Sequence, residues 1–367
     1  SCFDAHFIVV IFVAFVVVIV DAFAVADGAV IIEALACIIP VVVVRASAAW
    51  SSTCARVRVT RRDKVHTSPR HRHIASRSPR AMVYYACALT SGGKDGTLAA
   101  MLAQSRADAE VVCYANVCPS ANAVDELDSH CFQTVGHRCV DALGALTGKD
   151  VYRRRLRGSS VSTAMAYEAN DADEVEDLRA LLRAARRREP RLNAVCSGAI
   201  LSDYQRLRVE HVCAELGLTS LAPLWRMPQR EVLERVVSSG IDARLVKVAA
   251  MGLSPEAHLG KSIADVSETL IRVEELYGSH CAGEGGEFET LVVDCPLYAR
   301  GRLALTKTRV EKTSSDAFAP SGHLVVDEFE VVLKPGAEGV APGRVIWVED
   351  GEESDMSADE AATATAR

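Results

Sequence analysis

One short segment, Ser-Gly-Gly-Lys-Asp-Gly at Ser91 to Gly96, combines residue types that bind phosphate groups. Its glycines allow backbone N–H groups to wrap an anion, and Lys94 supplies a positive charge. Asp95 could hold a metal ion or orient the lysine. The Walker spacing, Gly-x-x-x-x-Gly-Lys followed by Ser or Thr, is absent. Taken alone, the segment predicts either a phosphate-binding loop or an exposed turn.

The residues on either side of this segment favour the phosphate-binding loop. VYYACALT at 83–90 predicts a buried strand, and TLAAMLAQSRA at 97–107 predicts a helix. A strand, a glycine-rich loop and a helix in this order place the positive end of the helix dipole beside a bound anion.

The wider pattern predicts an α/β fold. Strands near 83–90, 110–117, 194–200 and 243–249 alternate with helices, which indicates a parallel sheet with covering helices. Residues 303–333 are expected to form closing strands. The tail 336–367 is rich in Gly, Glu, Asp and Ala and is expected to be mostly mobile, apart from the short apolar run RVIWV.

Composition excludes several classes of protein. The chain has 367 residues, of which 49% are hydrophobic, enough for a sizeable core and two or three domains. Its net charge of −7 argues against a protein that coats nucleic acid, so no stable nucleic-acid binding is expected. Its twelve cysteines include no C-x-x-C pair, so neither a zinc ribbon nor a thioredoxin-type redox site is predicted. A reducing compartment is expected.

Residues 1–81 do not match the rest of the chain. The uncharged run FIVVIFVAFVVVIV at 7–20 is shorter than the roughly 18 residues of a convincing membrane helix. The segment 45–80 is rich in arginine and serine and has a single acid. Three interpretations remain, in order of preference: an upstream region translated by a gene model, an organelle transit segment, or a membrane anchor. Met82 directly precedes the first clear strand, so residues 1–81 are expected to take no part in the chemistry.

The loop at Ser91 to Gly96 resembles the pyrophosphate loop, usually SGGKDS, of the N-type ATP pyrophosphatases. Further segments narrow the resemblance to the diphthine–ammonia ligases. These segments, in chain order, are DELDSHCFQTVGH at 125–137, YRRRLRG at 152–158, DEVEDL at 173–178, SGAILSDYQRLRVEHVC at 197–213, PLW at 223–225 and CAGEGGEFET at 281–290. The resemblance runs from about 83 to about 333.

The resemblance implies the adenine nucleotide α-hydrolase-like (Rossmann-like) fold with a smaller α/β C-terminal domain. The expected boundaries are 82–218 for the ATP-binding domain and 219–335 for a diphthine-specific domain. The implied activity is amidation of diphthine on translation elongation factor 2, with ammonium as nitrogen source and ATP and Mg²⁺ as cofactors. An acyl-adenylate would form, and AMP and pyrophosphate would be released. Such an enzyme is expected in the cytoplasm.

The implied nucleotide-binding residues come from two segments. The loop supplies Lys94 and Asp95 as catalytic residues, with Asp95 also the candidate metal ligand. The second segment follows the predicted strand at 194–200, and its Asp203 occupies a predicted helix N-cap. The complete set is Ser91, Gly92, Gly93, Lys94, Asp95, Gly96, Ser202, Asp203 and Arg206. Tyr204 and Arg208 are candidate substrate residues, although Arg208 could equally lie on a solvated helix face.

The acidic segment GEGGEFET is the candidate substrate site. Glu284, Glu287 and Glu289 surround Gly285 and Gly286, and glycines allow a tight backbone path that directs carboxylates together. A concentration of negative charge favours a bound cation. The trimethylammonium group of diphthine, ammonium and Mg²⁺ all remain possible occupants.

Two further segments, one rich in arginine and the other acidic, each have competing interpretations. YRRRLRG is either a solvated edge or loop, or a clamp for the adenylate phosphate or an acidic protein surface. DEVEDL is either an ordinary acidic first turn of a helix or a contributor of Glu174 and Glu176 to the cleft.

Gly96 departs from the serine of the resembled loop, so one hydroxyl that could bond phosphates is missing. Loss of one such hydrogen bond costs about 0.5–1.5 kcal/mol, or up to about 3 with an ionised partner. Weaker ATP use is therefore expected, with the Thr97 hydroxyl as a possible substitute. A nucleotide-binding or elongation-factor-binding protein without catalysis is the main alternative. A tRNA-modifying pyrophosphatase is a further one.

Overall fold

The computed structural model describes residues 82–119, 135–158, 161, 167, 170, 173–349 and the backbone of 353–356. The expectations about residues 1–81 lie outside this range, as does most of the DELDSHCFQTVGH segment. None of the helices in the described part of the chain has the length and apolar character needed to cross a membrane.

The described residues form eleven strands in two sheets. In chain order they are β1 Tyr84–Leu89, β2 Ala109–Cys118, β3 Val151–Arg155, β4 Ala194–Cys196, β5 Thr219–Leu221, β6 Asp242–Val248, β7 Phe288–Asp294, β8 Gly301–Ser314, β9 Ser321–Leu333, β10 Val345–Val348 and β11 Glu353–Met356.

Seven α-helices lie in the same described ranges. They are α1 Lys94–Gln104, α2 Leu143–Thr147, α3 Glu174–Arg188, α4 Asp203–Leu216, α5 Gln229–Ser238, α6 Pro255–His258 and α7 Ile263–Tyr277. Short 3₁₀ turns occupy His137–Ala142 and Ala337–Gly339.

The first sheet has the order β11-β10-β3-β2-β1-β4-β5. Every neighbouring pair is parallel except β10 with β11. The predicted parallel α/β fold is therefore confirmed. From β1 the chain passes through α1 to β2 on one side, whereas β4 lies on the other side. The carboxyl end of β1 is thus the point where the strand order reverses, and ligands of open α/β sheets bind at such points.

The second sheet has the order β7-β6-β9-β8, and all its pairs are antiparallel. The strand predicted near 243–249 belongs here, as β6, and its expected place in the parallel sheet was wrong. An apolar run identifies a buried strand but carries no signal for the strand it pairs with. The expected closing strands at 303–333 form the long β8–β9 hairpin.

The first four residues of YRRRLRG, 152–155, lie in β3, an interior strand between β2 and β10, and for them the interpretation as a solvated edge or loop was wrong. Arg153 and Arg154 are 1% and 5% exposed. Successive strand residues point to opposite faces, and each arginine meets a different carboxylate. Arg153 pairs with Asp141 and Arg154 with Asp177. The apolar run of the tail forms β10, which lies between β3 and the edge strand β11.

Apolar side chains cover both faces of the parallel sheet. On one face, helices α3 and α4 contribute Leu178, Leu181 and Val212 to a buried cluster. On the other, α1 and the antiparallel sheet share a second cluster that includes Leu98, Val246 and Leu291. Because β7 residues lie in the same core as α1, the antiparallel sheet is held directly against the Ser91 to Gly96 loop.

Candidate active site

The predicted phosphate-binding loop follows the end of β1 and continues into the first turn of α1, which begins at Lys94. Gly92 has a φ of +87°, a left-handed conformation that favours glycine. Gly93 is the N-cap of α1 and has no side chain to bond the first-turn N–H groups. Most of this positive helix end is therefore open to an anion.

The antiparallel sheet holds the loop at two points. The Thr290 hydroxyl accepts a hydrogen bond from the Lys94 backbone N–H at 3.1 Å. The Val292 N–H donates to the Gly92 carbonyl at 2.8 Å. Both partners lie on β7, about two hundred residues away along the chain, and the loop sequence gives no signal of them.

Lys94 and Asp95 form an ion pair at the start of α1, in which Lys94 is buried and Asp95 is partly exposed. Lys94 is 2% exposed, and its Nζ lies 2.7 Å from Asp95 Oδ2 and 5.1 Å from the centre of the Phe288 ring. Burial raises the pKa of Asp95, and this effect is partly offset by Lys94. The second carboxylate oxygen, Oδ1, is buried with no hydrogen-bond partner in the described part of the chain. One oxygen thus holds the lysine, and the other can accept a ligand.

The ends of β1 and β4 meet in the same place. A Cβ atom on Gly198, just beyond β4, would lie 2.6 Å from the Gly96 nitrogen and 2.7 Å from the Asp95 carbonyl carbon. Only glycine allows this approach of two backbones. A Cβ on Gly96 would itself lie 2.9 Å from the Leu89 carbonyl oxygen, so a serine there requires a small shift.

Thr97 does not replace the missing serine hydroxyl. Its Oγ1 donates to the Gly93 carbonyl at 2.9 Å, and the residue is 7% exposed. The expectation that this hydroxyl could bond the phosphates was therefore wrong, because it is used within the helix.

Glu284 binds the start of α4. One of its carboxylate oxygens accepts hydrogen bonds from the N–H groups of Ile200, Leu201 and Ser202, at 3.0, 2.9 and 3.0 Å. A carboxylate at a helix N-terminus is stabilised by the helix dipole and by the open N–H groups. This side chain fastens the acidic segment to the end of β4.

The other two carboxylates of the segment have separate partners. Glu287 accepts from the backbone N–H groups of His280 and Gly285 at 2.7 and 2.8 Å. Glu289 lies 3.3 Å from the Lys247 ammonium. The described residues contain no group of three or more His, Cys, Asp or Glu side chains able to hold a metal ion. The expected convergence of three carboxylates on one cation is not what the structure shows, and a substrate role for them stays a prediction.

The N-cap of α4 is Ser202, whose hydroxyl accepts from the Gln205 N–H at 3.2 Å. The expectation that Asp203 is the N-cap was wrong by one residue. Asp203 is instead the first residue of the helix and lies 3.0 Å from Arg206. Arg206 also pairs with Glu210 at 2.7 Å.

Aromatic rings hold both arginines of α4. The Arg206 guanidinium lies 4.5 Å from the centre of the Trp225 ring, which comes from the PLW segment. Arg208 is 1% exposed and lies 3.2 Å from the centre of the Tyr204 ring. The interpretation of Arg208 as part of a solvated face was wrong. Arg206 thus lies in the first turn of α4, close to Ser202, whereas Arg208 is buried against Tyr204.

A polar network supports the loop from the side of β2 and β3. The Asn116 amide donates to the Thr90 carbonyl at 2.8 Å and accepts from Arg153 Nε at 3.0 Å. Arg153 also donates to Asp141 and to the His137 carbonyl. Arg153, one of the arginines predicted to clamp a phosphate, is therefore buried. It supports the loop through Asn116, which bonds Thr90, the residue before Ser91.

The chain is similar in sequence to known proteins over strands of both of its sheets. The chain matches the family model for the diphthamide synthase N-terminal domain over residues 85–220 and the one for its C-terminal domain over residues 229–319. A Danio rerio diphthine–ammonia ligase is 48% identical over 237 residues, covering 64% of this chain and 92% of that protein. The Homo sapiens diphthine–ammonia ligase is 44% identical over 239 residues, covering 65% and 88%. Because both domains match and the similarity covers nearly the whole of these relatives, the chain belongs to the diphthine–ammonia ligase family.

Proposed function

We propose that this chain is an ATP-dependent ligase that forms a C–N bond, converting diphthine on translation elongation factor 2 to diphthamide. Ammonium supplies the nitrogen, and AMP and pyrophosphate are released. The observation that carries the proposal is the start of α1 at Ser91 to Gly96, which has no side-chain cap and holds the buried Lys94 paired with Asp95, in a chain of this family.

The loop residues would act by binding and charge neutralisation. Open N–H groups at the start of α1 and the Lys94 ammonium stabilise the negative charge that builds up on departing pyrophosphate. Lys94 is held by Asp95 and lies beside the Phe288 ring, so it is already oriented before nucleotide binds. No residue need form a covalent bond to substrate. The rate gain would come from positioning and fixed electrostatics.

The site residues fit a Mg²⁺ ion that is shared with nucleotide phosphates. Asp95 Oδ1 is a buried oxygen without a partner in the described residues, and oxygen is the donor that Mg²⁺ prefers. Nucleotide sites bind Mg²⁺ through one or two carboxylates together with phosphates and water, so a three-ligand protein cluster is not needed. When bound, the ion would neutralise phosphate charge.

The reaction would proceed in two steps. The diphthine carboxylate attacks the α-phosphorus of ATP and expels pyrophosphate, which gives an acyl-adenylate. Ammonia then attacks the acyl carbon, displaces AMP and loses a proton to give the amide. Ser202, Asp203 and Arg206 lie at the β4 end of the crevice and are proposed nucleotide contacts. The acidic segment at Glu284 to Glu289, with Tyr204 and Arg208, is proposed as the diphthine side of the site.

The same proposal extends to domains, partner and location. The matched ranges 85–220 and 229–319 support an ATP-binding domain at 82–218 and a diphthine-specific domain at 219–335. The protein partner is elongation factor 2, and the proposed location is the cytoplasm, where this factor works.

The test incubates the full chain with diphthine-bearing elongation factor 2, ATP, Mg²⁺ and ammonium, and follows AMP and the mass of the modified histidine. We expect AMP in step with conversion of acid to amide, and loss of both in Lys94→Ala. Lys307→Ala is the matched control, since Lys307 is an exposed lysine paired with Glu328. If the native chain makes no AMP but Gly96→Ser does, the non-catalytic binding protein replaces the ligase.

A further inference from the structure

His280 lies at the start of the turn that leads into the acidic segment, and two hydrogen bonds fix its position. Its backbone N–H donates to Glu287 at 2.7 Å. Its ring Nδ1 accepts from the Glu284 N–H at 3.4 Å. Glu284 is in turn bound to the three N–H groups at the start of α4. The ring is therefore held, through Glu284, relative to the start of α4.

These contacts determine the tautomer of the ring. A backbone N–H can only donate, so Nδ1 carries the lone pair and the ring proton is on Nε2. Burial, the largest effect, lowers the pKa of His280, which agrees with a neutral ring. His280 thus presents one N–H donor, at Nε2.

That donor has no acceptor among the residues that the structure describes. Nε2 is buried, and a buried donor without a partner costs free energy that a ligand can recover. The ionised groups that act on the ring are Lys94 and Asp95 from α1, and Glu284 and Glu287 from its own segment. Asp95 Oδ1, on the loop itself, is a second buried polar atom without a partner in the same described ranges.

We propose that His280 Nε2–H binds an anionic oxygen of the nucleotide's phosphate chain at the Ser91 to Gly96 loop. The inference rests on the proposed function and adds a substrate-contact residue from the antiparallel-sheet side of the site. A neutral donor suits an oxyanion here, because it bonds the anion without forming an ion pair with Glu284 or Glu287. Asp95 Oδ1 and His280 Nε2–H would then provide an acceptor and a donor in the same site.

The experiment measures binding of Mg²⁺–ATP and of Mg²⁺–pyrophosphate to the full chain by calorimetry. His280→Phe keeps a ring and removes the donor, and His280→Gln returns an N–H near Nε2. His258→Phe is the matched control, since His258 also accepts a backbone N–H through Nδ1, at 2.9 Å, but lies on α6. The melting temperature of each variant checks folding, and His280→Ala replaces His280→Phe if the ring destabilises the chain.

We expect His280→Phe to weaken binding of both ligands by about 10- to 100-fold, as for loss of a hydrogen bond to a charged group. His280→Gln should recover part of this loss, and His258→Phe should bind like the native chain. Native binding of both ligands by a folded His280→Phe would overturn the proposal. So would native ligand binding with a raised KM for elongation factor 2 alone, because the donor would then serve the diphthine carboxylate. A native chain that binds ATP but makes no AMP would refute the proposed ligase and leave this contact testable.

Discussion

Glu284 makes the contact that most directly joins the acidic segment to the parallel sheet, and its removal has a calculable cost. In Glu284→Ala, the N–H groups of Ile200, Leu201 and Ser202 lose their acceptor. Leu201 is 52% exposed and Ser202 half-buried, so water can replace the carboxylate there, whereas Ile200 is fully buried. The buried N–H left unpaired costs about 1–3 kcal/mol. Loss of the charge at the helix N-terminus adds about 0.3–1 kcal/mol.

We therefore expect Glu284→Ala to lower the free energy of unfolding by about 1–4 kcal/mol. Glu284→Gln keeps an acceptor oxygen and loses only the charge, so it should cost about 1 kcal/mol. Urea unfolding of the full chain measures both. Glu268 on α7 is exposed and supplies the matched control, because Glu268→Ala should change stability by no more than about 0.5 kcal/mol. If Glu284→Ala is no more destabilising than Glu268→Ala, the carboxylate does not cap α4, and the position deduced for His280 loses its support.

Three further predictions concern the support of the loop. Asp141→Ala should lower the free energy of unfolding by about 3–5 kcal/mol, because it leaves the buried Arg153 guanidinium without its carboxylate. Adding Arg153→Met should recover much of that loss, as measured in a double-mutant cycle of unfolding free energies. Gly198→Ala places a Cβ 2.6 Å from the Gly96 nitrogen, so it should lower the free energy of unfolding in urea by about 1–3 kcal/mol and reduce AMP release. Unchanged AMP release would show that activity does not require the two backbones to lie this close. Thr290→Val removes the hydroxyl that accepts the Lys94 N–H but keeps the shape of the side chain. The KM for ATP should therefore rise, while the melting temperature falls by only a few degrees. Thr290→Ser returns the hydroxyl and should restore the native KM.

Local sequence was enough for the loop and the strands nearest to it. The loop position follows from a strand, two glycines and a helix that are contiguous in the chain, so short-range preferences alone determine it. The structure has β1 where these preferences predict it, whereas α1 begins at Lys94, three residues before the predicted start at Thr97. Local sequence was also enough for the α/β class, because alternating strands and helices allow few other arrangements.

Contacts between segments that are distant in the chain could not be predicted from local sequence. The apolar run of β6 predicts a strand, but only the path of the chain decides that it pairs with β7 and β9. The arginines of β3 look like a solvated segment in sequence. They are buried because Asp141 and Asp177 reach them from other elements.

The sequence by itself determined the phosphate-binding loop, the α/β class and the family, since each depends on residues that are neighbours or on the order of short motifs. The tertiary structure decided what each charged side chain does. Glu284 and Thr290 look like members of one acidic segment in sequence, yet one binds the start of α4 and the other the start of α1. The physical reason is that a buried charge or N–H must find a partner, and that partner is set by which backbone ends the fold brings together.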